Sequence, residues 1–268
     1  MWKNKVVIVT GGSGGLGQAI GMQFARAGSR VILVARDWER LEIAAAMIRG
    51  NCSDVELRLL CCDVTNQDDV DFLFRKVAEE FGSVDVLVNN AGRSVRGRVV
   101  DTTPEQFQLL FDLNVLGVVR CTRGALPFLL QSRGHIVNIG SLASKSAAKF
   151  VGAYPVTKFA VAAYSQQLRL ELSDDGVHVL LVCPGPIKRG GERLYEFDDT
   201  ANVPESAMRQ GAGVNVGLIE PIKLADKIIK YCELRKPELI VPAKAKLLFA
   251  ISQISPTLGD WIVKQSTK

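Results

Sequence analysis

The sequence is poor in aromatic and histidine residues, and both shortages exclude classes of function. Phenylalanine, tryptophan and tyrosine make up 7% of the 268 residues, and the formal net charge is only +5. Proteins that bind nucleic acids usually combine a dense basic stripe with aromatic side chains that stack on bases, so we expect no nucleic-acid partner. His135 and His178 are the only histidines, and we therefore expect no histidine-rich metal site and no metal cofactor.

Paired cysteines and long apolar runs are missing as well. The six cysteines form no C-x-x-C pair and no zinc-type spacing, and most lie in apolar runs, which is typical of small buried side chains in a reducing compartment. No apolar run approaches the ~18 residues of a membrane-spanning helix. An apolar strand begins almost at the first residue, so we expect no signal peptide and a cytoplasmic protein.

Short β-branched runs alternate with longer helical patterns over most of the chain. This alternation, with right-handed crossovers, predicts an α/β Rossmann fold, a doubly wound parallel β-sheet flanked by helices. No shift in composition marks a linker, so residues 1–268 are predicted to form a single domain. The predicted strands are Val6–Val9, Val31–Ala35, Glu56–Cys62, Val84–Val88, His135–Ile139, Val177–Cys183 and Glu238–Val241. The predicted helices are Leu16–Ala27, Trp38–Ile48, Gln67–Phe81, Pro104–Leu130, Tyr154–Leu172 and Pro221–Leu234.

Two segments interrupt the alternation. Residues 184–217 are rich in glycine, proline and charge, which favours a substrate-binding loop or lid. In residues 243–268, apolar side chains recur at helical intervals, which predicts a C-terminal helical extension. This extension either packs on the domain or on a partner subunit, or it contacts a membrane surface; the sequence leaves these alternatives open.

A glycine-rich loop joins the first predicted strand to the first predicted helix. Glycines permit a tight turn and let the backbone approach a pyrophosphate closely, and the helix N-terminus beyond them offers free N–H groups and a partial positive charge. The loop therefore predicts a dinucleotide site. Two spacings fit the same residues: G-x-G-x-x-G at Gly12, Gly14 and Gly17, and T-G-x-x-x-G-x-G at Thr10, Gly11, Gly15 and Gly17.

The end of the second predicted strand indicates which nicotinamide cofactor binds. NAD-binding units usually place an acidic residue there to hold the ribose 2′-hydroxyl, but this chain has Ala35 followed by Arg36. A guanidinium pairs well with phosphate, so Arg36, helped by Arg40, is predicted to bind the 2′-phosphate of NADP. Asp37 is predicted to cap the following helix.

Three residues form the predicted reaction centre. Ser141 ends the fifth strand, and Tyr154 and Lys158 lie four positions apart, on one face of a helix. Together with the T-G-x-x-x-G-x-G loop and Asn89-Asn90-Ala91-Gly92 after the fourth strand, this set resembles the short-chain dehydrogenase/reductase family.

The resemblance implies a role for each catalytic residue. Tyr154 would exchange a proton with the substrate oxygen, and Ser141 would donate a hydrogen bond to that oxygen. The Lys158 ammonium would favour the phenolate of the tyrosine and hold the nicotinamide ribose. Asn114 matches the fourth member of the family's set and would support a water that relays protons to Lys158.

The loop and the resemblance together predict the cofactor-binding residues. Many family members have threonine where this chain has Arg189, which leaves the cofactor contact of that loop open. The predicted cofactor-binding set is Thr10, Gly11, Ser13, Gly15, Leu16, Gly17, Arg36, Arg40, Asp63, Val64, Asn90, Ala91, Gly92, Tyr154, Lys158, Pro184, Gly185 and Ile187.

The sequence therefore predicts an NADP(H)-dependent oxidoreductase that moves a hydride between nicotinamide and a carbonyl or secondary alcohol carbon. Apolar residues between Leu142 and Val151 favour a hydrophobic, lipid-like ketone as the small-molecule substrate. The alternatives are a catalytically silent NADP-binding redox sensor or scaffold and an RNA-binding Rossmann domain, which lacks basic and aromatic support. The helices Pro104–Leu130 and Tyr154–Leu172 resemble those through which family members associate, so a homodimer or homotetramer is expected.

Overall fold

Seven strands form the centre of the protein. The computed structural model describes residues 1–52, 55–188, 203–208, 211 and 217–266. The strands are β1 Val6–Thr10, β2 Arg30–Ala35, β3 Leu57–Cys61, β4 Val86–Asn89, β5 His135–Ile139, β6 His178–Pro184 and β7 Glu238–Val241. All neighbouring pairs are parallel, in the order β3-β2-β1-β4-β5-β6-β7. Because the strand order reverses at β1, the predicted doubly wound Rossmann fold is confirmed.

Helices cover both faces of this sheet. They are α1 Gly15–Arg26, α2 Trp38–Arg49, α3 Gln67–Phe81, α4 Pro104–Phe111, α5 Gly117–Ser132, α6 Tyr154–Glu171, α7 Glu205–Met208, α8 Pro221–Glu233, α9 Ala245–Ile254 and α10 Pro256–Ser266. Val7 and Val9 of β1 pack with α1, α2 and α8, whereas Val6 and Ile8 point to the other face and pack with α3, α5 and α6; the alternation follows from the two-residue period of a strand. Both layers are apolar and buried, which is typical of parallel sheets.

Most predicted boundaries agree with the structure to within one residue, and two regions differ by more. The pattern predicts a strand over Val84–Val88, but β4 spans Val86–Asn89; just before it, the Asp85 carboxylate accepts the Val6 N–H at 2.9 Å. The pattern also predicts one uninterrupted helix over Pro104–Leu130, but a π-helical turn, Asp112–Leu116, separates α4 from α5. Such turns insert one extra residue and are frequent at functional sites.

The helical segment Pro104–Ser132 is long and apolar enough to span a membrane by length and composition, and it alone passes that test among the described residues. Core helices of soluble proteins pass it too. Here 44% of the most apolar stretch is buried inside the structure, and α5 packs on α3 and β4. These contacts are those of a core helix.

The predicted C-terminal extension contains two helices, α9 and α10, which pack against each other. The predicted substrate loop lies mostly outside the described residues, which include only 184–188, 203–208, 211 and 217 of it. Arg189 also lies outside them. The assignment of residues 1–268 to one domain stays a prediction.

Candidate active site

One large cleft lies beyond the carboxyl ends of the strands. Its volume is about 1730 Å³, larger than the roughly 300–1,000 Å³ of a typical single-ligand pocket. Most of the predicted site residues line it; the exceptions are Thr10, Gly17 and Asn114. The fold therefore brings the glycine loop and the Ser141, Tyr154 and Lys158 side chains to one cavity.

Thr10 and Asn90 connect the glycine loop to the neighbouring strand. The Thr10 hydroxyl donates to the Val88 carbonyl at 3.2 Å and accepts the backbone N–H groups of Asn90 and Ala91, each at 3.0 Å. The Asn90 amide donates to the carbonyls of Thr10 and Gly11 at 3.0 and 3.1 Å. These contacts fix the loop at the point where β1 and β4 diverge, so both side chains support its shape.

The glycine loop leaves space on the cleft side and none behind it. A Cβ atom on Gly17 would lie 2.2 Å from the Gly11 carbonyl oxygen, so only glycine allows this packing. A Cβ on Gly14 would meet no described atom within 4 Å, and no described side chain caps the start of α1. Free N–H groups facing open space suit the pyrophosphate of a dinucleotide. The residues present therefore fit the predicted cofactor.

Arg36 lies at the end of β2 with 68% of its side chain exposed to the cleft, and its Nη1 is 3.5 Å from Asp63 Oδ2. Burial alone would raise the pKa of Asp63, but hydrogen bonds from the Thr65 backbone and hydroxyl, with the Arg36 charge, lower it below its usual value. Asp37 caps α2 by accepting the Arg40 N–H at 3.0 Å, which confirms that predicted cap.

Asn114 is completely buried in the π-helical turn. Its Oδ1 accepts the Arg93 N–H at 2.9 Å, and its Nδ2 donates to the Arg93 carbonyl at 2.9 Å and to Thr157 Oγ1 at 3.1 Å. Thr157 in turn donates to the Tyr154 carbonyl at 2.8 Å. Asn114 therefore ties the segment after β4 to the first turn of α6.

Lys158 is buried beneath Tyr154. Its Nζ donates to the Ile139 carbonyl at 2.8 Å and lies 5.8 Å from the centre of the Tyr154 ring. Burial lowers the pKa of Lys158 from 10.5 to about 8, because the ammonium is removed from water. The charge of this lysine is thus sensitive to any anion or hydroxyl that enters the cleft.

Ser141 begins a 3₁₀ turn, Leu142–Ser144, directly after β5. Its Oγ accepts the Ala143 N–H at 3.1 Å, and its own N–H donates to Ser144 Oγ at 3.1 Å. The Ser141 hydroxyl accepts the Ala143 N–H through a lone pair of Oγ. Its own proton therefore remains available to an oxygen in the cleft.

Sequence reasoning missed several residues of the site. Thr157 stands inside the Tyr-x-x-x-Lys spacing, but only the structure shows it joining Asn114 to α6. The C-terminal helices reach the cleft, which their distance along the chain concealed; their lining residues are Ala245, Leu248, Phe249, Ile262 and Val263. The apolar wall predicted near Leu142 is present, formed by Leu142, Ala143, Ala148 and Val151.

The two histidines meet at the opposite end of the strands from the cleft, where β5 and β6 begin. His135 Nδ1 and His178 Nδ1 are 2.9 Å apart, and one ligand atom from each, with Cys232 Sγ, lies within 4.8 Å of the others. Burial, then neighbouring positive charge, lowers the pKa of His135 from 6.5 to about 3. This pair is remote from the cleft, and the absence of a metal cofactor stays a prediction.

Comparisons with known proteins agree with this geometry. A family profile described as short chain dehydrogenase matches residues 5–194. An uncharacterized oxidoreductase of Staphylococcus epidermidis is 34% identical over 223 residues, which cover 80% of this chain and 95% of the relative. A solved short-chain dehydrogenase from Streptomyces avermitilis is 30% identical, with a TM-score of 0.82 over 99% of this chain and 98% of its own. An alcohol dehydrogenase from the archaeon Thermococcus sibiricus, complexed with 5-hydroxy-NADP, is 27% identical, with a TM-score of 0.74 over 89% of this chain and 96% of its own.

Proposed function

We propose, from the premise that this chain belongs to the short-chain dehydrogenase/reductase family, that it reduces a carbonyl compound, or oxidises the matching secondary alcohol, with NADP(H). Membership of the family makes the chain a nicotinamide-dependent oxidoreductase. The observation that carries the finer proposal is the cleft itself. It combines an open glycine loop with a serine, a tyrosine and a buried lysine at one edge of the sheet.

The chain's own residues divide the chemistry between them. When bound, the reduced nicotinamide supplies the hydride that reaches the carbonyl carbon. Tyr154 gives its phenolic proton to the carbonyl oxygen, and Ser141 donates a hydrogen bond to the same oxygen as negative charge develops there. The Lys158 ammonium, 5.8 Å from the tyrosine ring, stabilises the phenolate that remains. Asn114 holds the backbone on which Lys158 and Tyr154 are positioned.

The preference for NADP(H) is supported by Arg36. Its guanidinium is exposed at the end of β2, where it lines the cleft, and a guanidinium binds phosphate through paired hydrogen bonds. Asp63 lies 3.5 Å from Arg36, so a 2′-phosphate would compete with this carboxylate for the same cation. Fluorescence titration should give a dissociation constant for NADPH about tenfold or more below that for NADH.

The substrate class follows from the walls of the cleft. Leu142 and Val151 lie on one side, and Leu248 and Phe249 of the C-terminal extension also line it. Apolar surface removed from water contributes roughly 25 cal/mol per Å², so these walls favour a ketone with a hydrophobic body. We also propose that the protein is cytoplasmic.

Self-association is the remaining part of the proposal. The outer surfaces of α4 and α6 carry large exposed apolar side chains, among them Leu109 at 59% and Leu170 at 68%. Burying such a surface between copies is favourable, and a homodimer or homotetramer would do so. Sedimentation equilibrium should therefore give a mass that is a multiple of the chain's own, and a monomer would contradict this part.

The experiment that tests the activity compares two tyrosine variants of the same helix. NADPH oxidation is followed spectrophotometrically with a panel of ketones and aldehydes of increasing hydrophobicity. Tyr154→Phe should lower kcat/KM by about 10²–10⁴-fold, because the proton donor is removed. Tyr164→Phe is the matched control, since Tyr164 packs in the core away from the cleft, and its activity should change by less than about threefold.

Two outcomes would contradict the proposal. Equal activity of Tyr154→Phe and wild type would remove the tyrosine from the chemistry. Tight NADPH binding without turnover of any panel member would favour the alternative, a catalytically silent NADP-binding sensor or scaffold.

A further inference from the structure

The C-terminal helices α9 and α10 form a hairpin with apolar side chains on two sides. Gly259 packs directly on Ser252, because a Cβ at Gly259 would lie 2.4 Å from the serine hydroxyl, so the two helices are in close contact. Leu248 and Phe249 of α9 and Ile262 of α10 turn toward the cleft. The inner side of the hairpin therefore forms part of the wall of the cleft.

The outer side of the hairpin is also apolar, which a soluble surface helix does not require. Leu247 is 68% exposed and Ile254 is 86% exposed, and these residues lie seven positions apart on α9, on one face. On α10, Leu258 is 47% exposed and Trp261 is 58% exposed, three positions apart. Exposed apolar side chains that group on one surface are typical of an interaction site, and no described residue covers this outer side.

The charges around this apolar surface distinguish between a second copy of the chain and a lipid bilayer as its partner. Lys244, Lys246 and Lys264 are exposed on the hairpin, against a single exposed acid there, Asp260. A two-fold contact through this surface would place the lysines of both copies in one interface with few acids to offset them, and like charges repel. Anionic lipid headgroups would instead attract them, while leucine and tryptophan side chains enter the boundary between headgroups and acyl chains.

We propose that the outer side of the α9–α10 hairpin, formed by Leu247, Ile254, Leu258 and Trp261 and flanked by Lys246 and Lys264, docks the protein on an anionic lipid bilayer. The hairpin lies parallel to the membrane surface and does not span it, because α9 and α10 have only 10 and 11 residues. The inference does not depend on the proposed reaction, since a catalytically silent chain would dock in the same way.

Vesicle co-sedimentation of the full chain tests the proposal. Vesicles of phosphatidylcholine alone are compared with vesicles that also contain phosphatidylglycerol. Binding should be at least about tenfold tighter to the anionic vesicles and should weaken as salt is added. Leu247→Glu should lower this binding by about tenfold, and Lys246→Glu combined with Lys264→Glu should abolish the preference for anionic lipid.

A matched variant on another helix serves as the control. Ile43 on α2 is 63% exposed, close to the value for Leu247, and Ile43→Glu should change vesicle binding by less than about twofold. Circular dichroism and the NADPH dissociation constant of each variant report whether the fold is intact. If Leu247→Glu unfolds, Trp261→Ser is used instead, because its side chain is more than half exposed.

Tryptophan fluorescence reports which surface docks. Trp2 is 5% exposed and Trp38 is 47% exposed, so in a Trp38→Phe background the emission shift on vesicle binding comes from Trp261. A blue shift with anionic vesicles is expected. The proposal is overturned by equal binding to both vesicle types, by equal loss in Ile43→Glu, or by a Leu247→Glu variant that changes only the oligomeric state, which would make a second copy the partner.

Discussion

Replacing Arg36 with aspartate tests how the cleft distinguishes the two nicotinamide cofactors. The hydrogen bonds of a charged group contribute roughly 1.5–3 kcal/mol. Because 68% of the Arg36 side chain is exposed, the lower end of that range applies, which corresponds to about a tenfold change in the NADPH dissociation constant. The introduced carboxylate adds repulsion toward the 2′-phosphate of about 1 kcal/mol at water-like screening, or roughly a further fivefold.

We therefore expect Arg36→Asp to weaken NADPH binding by about 50-fold. NADH binding should stay the same or improve, because an acid in this place holds the ribose 2′-hydroxyl. Both constants are measured by fluorescence titration at one fixed ionic strength. Arg58→Ala is the control, because Arg58 of β3 pairs with Glu80 of α3 and does not line the cleft. Equal effects of Arg36→Asp on NADPH and NADH would refute the assignment of Arg36 to the phosphate.

Three further substitutions test the supports of the site and the fold. Gly17→Ala should weaken NADPH binding at least about tenfold with the fold intact, because its Cβ would lie 2.2 Å from the Gly11 oxygen; an unchanged dissociation constant would contradict the packing of the loop. Asn114→Ala should lower the free energy of unfolding by about 3 kcal/mol, since the three hydrogen bonds of this buried side chain are lost, and a loss below about 0.5 kcal/mol in urea titrations would count against its bracing role. Because burial lowers the pKa of His135 to about 3, the unfolded chain binds more protons below pH 6.5, and stability should fall by about 2 kcal/mol between pH 6.5 and pH 5. His135→Leu should remove most of this dependence, and an identical loss in that variant would assign it to other groups.

The parts of the site that could be predicted from the sequence are those that depend on neighbours along the chain. The glycine loop directly follows a strand and precedes a helix, as its spacing predicts, and the dinucleotide site that it indicates stays a prediction. Tyr154 and Lys158 share a helical face because they are four residues apart. Asp37 was identified as a helix cap from its position before α2, and the structure confirms that hydrogen bond.

The parts that could not be predicted depend on contacts between distant segments. The hydrogen bonds of Asn114 to Arg93 span 21 residues, and the π-helical turn that makes them possible leaves no periodic signal in the sequence. His135 and His178 meet because the register of β5 and β6 pairs them. Phe249 of the C-terminal extension reaches a cleft whose other walls are formed much earlier in the chain.

Isotope transfer is the most direct test of hydride transfer within this cleft. The protein is incubated with NADPH that carries deuterium at the transferable position of the nicotinamide, together with the most rapidly reduced ketone of the panel. We expect the alcohol product to contain one deuterium on the former carbonyl carbon and a solvent-derived proton on its oxygen, and we expect Tyr154→Phe to form almost none of it. An alcohol without deuterium on that carbon would show that its hydrogen came from elsewhere, and hydride transfer from the bound nicotinamide would be contradicted.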